Sequence, residues 1–169
     1  MSSFKNRLLA RIFTRFPSLV ERAAEKAAPL KIEGIPWTPV TKPLKESTVA
    51  LVTTAGVHLA SQKPFDMEDP DGDPTWRELH SDIPREEYTI THDYYDHRDA
   101  DRDLNIVFPI DRLQELKEEG LIGGVADTHY GFMGHIAGAH VDTLIKETAP
   151  EMTRKLVAAG VDVVLLTPG

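Results

Sequence analysis

Cysteine is absent from all 169 residues, which excludes a disulfide framework, a thiolate metal site and a thiol nucleophile within this sequence. Also missing is any apolar run approaching the roughly 20 residues that cross a bilayer. The N-terminus lacks the pattern of a secretory signal, because arginines are scattered through the apolar positions of residues 1–16. Positive charge is in deficit: 19 Lys and Arg against 27 Asp and Glu leave a formal net charge of −8. That balance argues against general nucleic-acid binding, which depends on neutralising phosphates. The expectation is a cytoplasmic protein with neither a membrane nor a nucleic-acid partner.

What is present is an ordinary globular composition, 41% hydrophobic and 27% charged, enough for one domain with a real core. Residues 1–34 read as an N-terminal helical extension. Leu8, Leu9, Ile12, Phe13 and Phe16 share one helical face, Arg7, Arg11 and Arg15 line the other, and Pro17 breaks the helix. Ser18 to Glu21 is a capping box that opens a second helix through Lys26. Residues 35–47, with Pro36, Pro39 and Pro43, form an extended linker. Residues 48–169 form the main domain. Thr48–Thr54 is its first strand, 61–85 a long loop, and Glu87–Thr91 a short strand. Asp111 caps a helix that stops at Gly120, and Leu121–Ala126 is the next strand. Asp142–Ala159 is helical, with Thr148 to Glu151 reading as a cap and first-turn proline in its middle. Strands alternating with helices predict a three-layer α/β fold with a mostly parallel sheet, Rossmann-like or flavodoxin-like.

Gly160–Gly169 reads as an apolar strand running into a Pro-Gly turn. Loops at the carboxyl ends of parallel strands hold the chemistry. The expectation is a domain incomplete at its C-terminus, lacking the reactive residue and the helix that covers the last strand. Apolar surface should then be open beside that strand.

The densest chemical stretch is Thr91–Asp103. His92 or His97 beside Asp93 or Asp96 could exchange protons, with structural capping as the competing role. His92 to His97 also outlines the ligand run of a metal-dependent hydrolase, with Tyr94 where an imidazole belongs and His129, His135 and His140 available downstream. The calcium-loop reading of Asp99–Asn105 fails, because Leu104 stands where glycine is required and Ile110 where glutamate is. Thr53 to His58 places a hydroxyl-rich turn containing Thr54 and Gly56 after the first strand, suited to holding an anion through backbone amides. His58, His92 and His129 follow or end strands and are expected to converge at one sheet edge.

Read in order, Trp37–Lys45, Thr48–His58, Asp103–Asp111, Phe132–Gly134, Glu147–Glu151 and Gly160–Gly169 resemble the glycine/sarcosine/betaine/D-proline reductase family, specifically its selenoprotein B-type subunit. The resemblance implies a selenocysteine or cysteine directly after Gly169, at a codon that ordinary gene reading takes as stop. It implies reductive cleavage of the C–N bond of glycine, sarcosine, betaine or D-proline, with a pyruvoyl group supplied by a partner subunit. Other reductase subunits, in a hetero- or homo-oligomer, are the implied partners. The implied site combines catalytic candidates His58, His92, Asp93, Asp96, His97 and His129 with substrate-binding candidates Thr54, Gly56, Thr167 and Gly169, and no metal. Its acidic loop is similar to the glycine- and betaine-type members more than to the D-proline ones. The alternatives are a non-catalytic binding or assembly domain and a remodelled metal-dependent hydrolase.

Overall fold

The computed structural model describes residues 2–16 and 38–169. The helix expected at Ser18–Lys26 and the linker's Trp37 lie outside them.

Thr48–Thr53 forms β1, the centre of the sheet. Its β-branched and aliphatic side chains alternate between two cores. Val49 and Leu51 pack with Ile110 and Leu113, while Ala50 and Val52 pack with Leu156. Because both faces are covered, the strand reads as a continuous apolar run rather than an alternating one. The remaining strands are β2 (Val57–Leu59), β3 (Arg77–His80), β4 (Tyr88–Ile90), β5 (Gly124–Val125), β6 (Thr128–Gly131) and β7 (Val163–Thr167). β5, β6 and β7 all run parallel to β1, and β3 joins β6 antiparallel. β5 meets the start of β1 and β6 its end, so the two lie end to end along one edge, with β7 on the other. β2 and β4 form a separate antiparallel ribbon.

The helices are α1 (Ser2–Arg15), α2 (Ile110–Glu118), α3 (His140–Thr143) and α4 (Ala149–Ala158). α2, which carries Ile110 and Leu113, and α4, which carries Leu156, cover opposite faces of β1. This is the three-layer α/β arrangement with a mostly parallel sheet that the sequence predicts.

Several local readings change. β3 falls inside the stretch expected to be loop. Its sequence, Arg-Glu-Leu-His, has one apolar residue, Leu79, and that residue is fully buried opposite His129. Asp111 does not cap α2. The helix starts two residues earlier, at Ile110 with Pro109 before it, and the Asp111 carboxylate instead accepts from Arg85 and Asn105. Thr148 does not interrupt the C-terminal helix. Leu144–Thr148 widens into a π-turn joining α3 to α4, a geometry suited to Pro150, which has no N–H for the α-helical ladder.

α1 meets the rest of the protein through the Arg7–Ala10 side of the helix. Ala10 is buried and Arg7 reaches Asp93, whereas Leu8, Leu9 and Phe16 are exposed. The acidic loop attracts the basic side of the helix. β7 is open as expected: Val164, Leu165 and Leu166 are 37%, 43% and 71% exposed.

Candidate functional site

β1 ends beside β6 and β7, and a cavity of about 270 Å³ lies at their carboxyl ends, lined by Thr54, His92, Tyr94, Tyr95, Gly134, His135 and Gly169. This is where a parallel sheet places its chemistry. Gly169 is packed so tightly that a Cβ there would stand 2.7 Å from Ala55 Cα and 3.0 Å from the Tyr95 ring. Gly134, at φ +83°, has the same need, since its Cβ would meet the Thr54 carbonyl oxygen at 2.4 Å.

His92 forms one wall. Its Nδ1 accepts the Tyr94 N–H at 3.0 Å, and the ring also hydrogen-bonds to the Met133 backbone. The ring proton therefore sits on Nε2, facing the Met133 carbonyl. Burial holds the imidazole neutral and lowers its pKa to about 4, helped by the nearby His97 and His135. His92 thus ties the loop after β4 to the loop after β6. Tyr95 packs edge-on to it at 4.7 Å and donates its hydroxyl to the Ala55 carbonyl, and burial pushes its pKa up.

Opposite them, the Tyr94 ring stacks on His135 with centroids 4.0 Å apart. His135 Nε2 lies 2.9 Å from the Pro70 carbonyl and must donate to it, so Nδ1 is the unprotonated nitrogen of the neutral ring. Nδ1 has no hydrogen-bond partner among the described residues. Tyr94, Tyr95, Gly134 and His135 complete the cavity beyond the residues marked as site candidates from sequence. The paired glycine and histidine at 134–135, in the loop that follows β6, are the signal that could have found them.

The other candidates are distributed differently. Asp93, Asp96 and His97 lie with His92 around a second cavity of about 250 Å³, on the other side of the His92–Tyr95 pair. Asp93 accepts from Arg7 at 2.7 Å. Asp96 is held by the Arg98 guanidinium, which lowers its pKa to about 2. His97 Nδ1 contacts the Asp101 carboxylate at 2.9 Å.

His58 does not reach either cavity wall. Buried against Phe65, it bridges the Leu59 carbonyl and the Thr91 hydroxyl, each at 2.8 Å, and burial lowers its pKa. His129 is fully enclosed. Its Nδ1 accepts the Leu51 N–H at 2.9 Å and its Nε2 faces Ser81 Oγ at 2.9 Å. The expected meeting of three histidines therefore reduces to His92 alone. His129 stands in for a backbone partner of Leu51, whereas His58, in the separate ribbon, bridges the carbonyl of the next residue and a hydroxyl of the loop after β4.

The turn after β1 also differs from an anion cradle. The N–H groups of Thr54, Ala55 and Gly56 go to the Thr167 carbonyl, the Thr53 hydroxyl and the Phe132 carbonyl. Gly56 is required because a Cβ would meet the Thr91 carbonyl oxygen at 2.4 Å. Thr167 donates its hydroxyl to the Val107 carbonyl. Thr54 and Gly169 line the cavity, while Gly56 and Thr167 brace it. Among the described residues no group of three or more His, Asp or Glu could hold a metal ion, so the hydrolase reading finds no ligand set. Nor, among them, is any helix long and apolar enough to cross a membrane.

Residues 23–169 match the family model for the glycine/sarcosine/betaine reductase selenoprotein B. The chain is 44% identical over 133 residues to the D-proline reductase subunit gamma of Acetoanaerobium sticklandii, covering 79% of this chain and 53% of that one. It is 30% identical over 148 residues to the glycine reductase complex component B subunit gamma of Carboxydothermus hydrogenoformans, covering 80% and 31%. It is also 30% identical over 135 residues to the betaine reductase complex component B subunit beta of Peptoclostridium acidaminophilum, covering 75% and 29%. The chain thus spans about half, or less, of the length of these relatives. The identities lean toward the D-proline relative, opposite to the lean of the acidic loop. No solved structure matches significantly. α1 lies outside the family-matched region.

Proposed function

Because the chain belongs to the glycine/sarcosine/betaine reductase selenoprotein B family, we propose that it is the substrate-pocket portion of a reductase that cleaves a C–N bond α to a carboxylate. D-proline is the favoured substrate, on the strength of the 44% identity to the D-proline reductase subunit gamma, with glycine, sarcosine and betaine as the other members of the class.

The observation that carries this reading is the position of Gly169 in the wall of the cavity at the carboxyl ends of β1, β6 and β7. A residue joined to Gly169 begins at that cavity, since one peptide bond separates them. We propose that this residue is a selenocysteine or cysteine in the full-length protein. It would supply a nucleophile ionised near neutral pH. The cavity suits a small ligand: it is below the size range of drug-sized pockets and has no carboxylate among its lining residues.

Each wall residue then has a task. Thr54 offers an exposed hydroxyl at the cavity. Tyr95 and His92 hold the backbone on either side in register. His135 handles protons, because its Nδ1 has no other hydrogen-bond partner among the described residues. The pyruvoyl group implied for a partner subunit would supply a carbonyl toward the substrate amine. No residue of this cavity is a lysine or arginine that would compete for that carbonyl or pair with the substrate carboxylate. Partner subunits also fit the open faces of α1 and β7, and the relatives are named as complex components or subunits.

Two experiments test the reading. Sequencing the gene beyond Gly169 should reveal a selenocysteine or cysteine codon followed by further reading frame. A plain stop codon with nothing downstream defeats the proposal. Residues 1–169 alone should show no dithiol-dependent turnover, whereas the extended protein with its partner subunits should. An extended protein that binds its partners but never turns over would favour an assembly domain.

A further inference from the structure

The second cavity is formed where α1 lies on the loop after β4, and its charges do not balance internally. Asp93 is joined to Arg7 and Asp96 to Arg98. Arg11 also lines the cavity, yet makes no ion pair or hydrogen bond among the described residues. Among the described residues three guanidiniums, of Arg7, Arg11 and Arg98, therefore meet the two carboxylates of Asp93 and Asp96, and Arg11 acts on Asp96 only through its field. Met67, Ile90 and Tyr95 supply the apolar part of the wall.

We infer that this cavity binds a small zwitterion, its carboxylate on Arg11 and its ammonium end toward Asp93 and Asp96. Arginine presents two parallel N–H donors that match a carboxylate. A single surplus positive charge suits a monoanionic group. A dianion such as phosphate would gain from Arg11 but meet two carboxylates close by. The volume of about 250 Å³ admits a molecule of the size of an amino acid or betaine and leaves little room for a nucleotide. Only His92 and Tyr95 line both this cavity and the one containing Gly169.

The arginine comes from outside the family-matched region, since that region starts at residue 23 and α1 ends at Arg15. A zwitterion site here would be a holding or selecting site beside the proposed reaction cavity. The ligand class rests on the function proposed above. The location rests only on the side chains around the cavity.

The test is direct binding, which needs no turnover. Titration calorimetry or ligand-observed NMR on the full 169-residue chain would use D-proline, glycine and betaine as probes. Glycinamide, which lacks the carboxylate, and inorganic phosphate serve as controls. At least one zwitterion should bind in the millimolar range and glycinamide at least tenfold more weakly. Arg11→Ala should weaken zwitterion binding tenfold or more, while Arg11→Lys, which keeps the charge but loses the paired donors, should fall between. Arg11 is exposed on its helix, so circular dichroism should show the variants folded. No zwitterion binding at tens of millimolar, equal binding by wild type and Arg11→Ala, or phosphate binding in preference, each overturns the inference. Loss on Arg11→Ala together with a plain stop after Gly169 would keep this site and defeat the reductase reading. Turnover by the extended protein with no effect of Arg11→Ala on binding would do the reverse.

Discussion

The imidazole of His129 takes the place of a strand residue for Leu51, accepting its backbone N–H at 2.9 Å where β5 has ended and β6 has not yet begun to pair. Val49, two residues before, has its carbonyl met by the Ala126 N–H, and Thr53, two residues after, by that of Phe132. His129 fills the missing rung between them. On the far side of the ring Ser81 Oγ faces Nε2 and passes a hydrogen bond to the Ala126 carbonyl. The neutral Nε2–H tautomer is the one form that satisfies all of these contacts.

Replacing His129 by Ala should cost about 3 kcal/mol of folding stability, because it strands a buried N–H and leaves a cavity. Urea denaturation of the variant measures this. A loss under about 1 kcal/mol would show that the sheet closes the gap without the ring.

Buried imidazoles also set an acid response, and His58, likewise lowered by burial, adds to it. His92 and His129 both have folded pKa values lowered to about 4, from 6.5 in the unfolded chain. Between those values the unfolded state binds the protons and the native state does not. Their contribution is therefore complete above pH 6.5 and is lost as pH falls toward 4, by about 3 kcal/mol for each ring. The lowered carboxylate of Asp96 titrates below this window. Denaturation midpoints at pH 7.5, 6.0 and 5.0 should fall steadily, with a shallower slope in His129→Gln. A flat profile across that range would contradict burial of the neutral rings.

Gly169→Ala places a methyl group against Ala55 Cα and the Tyr95 ring. It should destabilise the pairing of β7 with β1 by about 1–3 kcal/mol, as overpacking does in a filled interior. Hydrogen exchange at the β7 amides reads the change locally.

Arg7 is 66% exposed while its partner Asp93 is 5% exposed, so Arg7→Ala should cost less than about 1 kcal/mol globally. It should nevertheless loosen α1. Trypsin should cut after Arg11 and Arg15 faster in the variant, and faster in wild type as salt is raised, because screening weakens the contact. Equal cleavage rates would mean that packing at Ala10, and not charge, holds the helix.

The large features were legible in the sequence because single residues encode them. β1 and β7 announced themselves as β-branched runs, and Gly120, at φ +71°, ended its helix as read. β3 was hidden because its place in the sheet comes from its partner β6 and not from its own charged sequence. The orientation of α1 was not legible, because its amphipathic pattern specifies two faces without saying which one meets the protein. Asp93 and Asp96 decide that, some eighty residues away. His58, His92 and His129 look alike in sequence, since each follows or ends a strand. What separates them is the number of backbone groups left without a strand partner around each ring, and that depends on the assembled sheet.

β7 carries one further consequence. Its outward margin presents a row of amide and carbonyl groups beside Leu165 and Leu166, with no charge or proline between Val163 and Leu166 to discourage a second chain. Among the described residues no strand pairs with that margin, and such a margin is a template on which copies can stack. At high concentration, 169-residue material should be lost by ordered self-templating, even while its interior remains soundly folded.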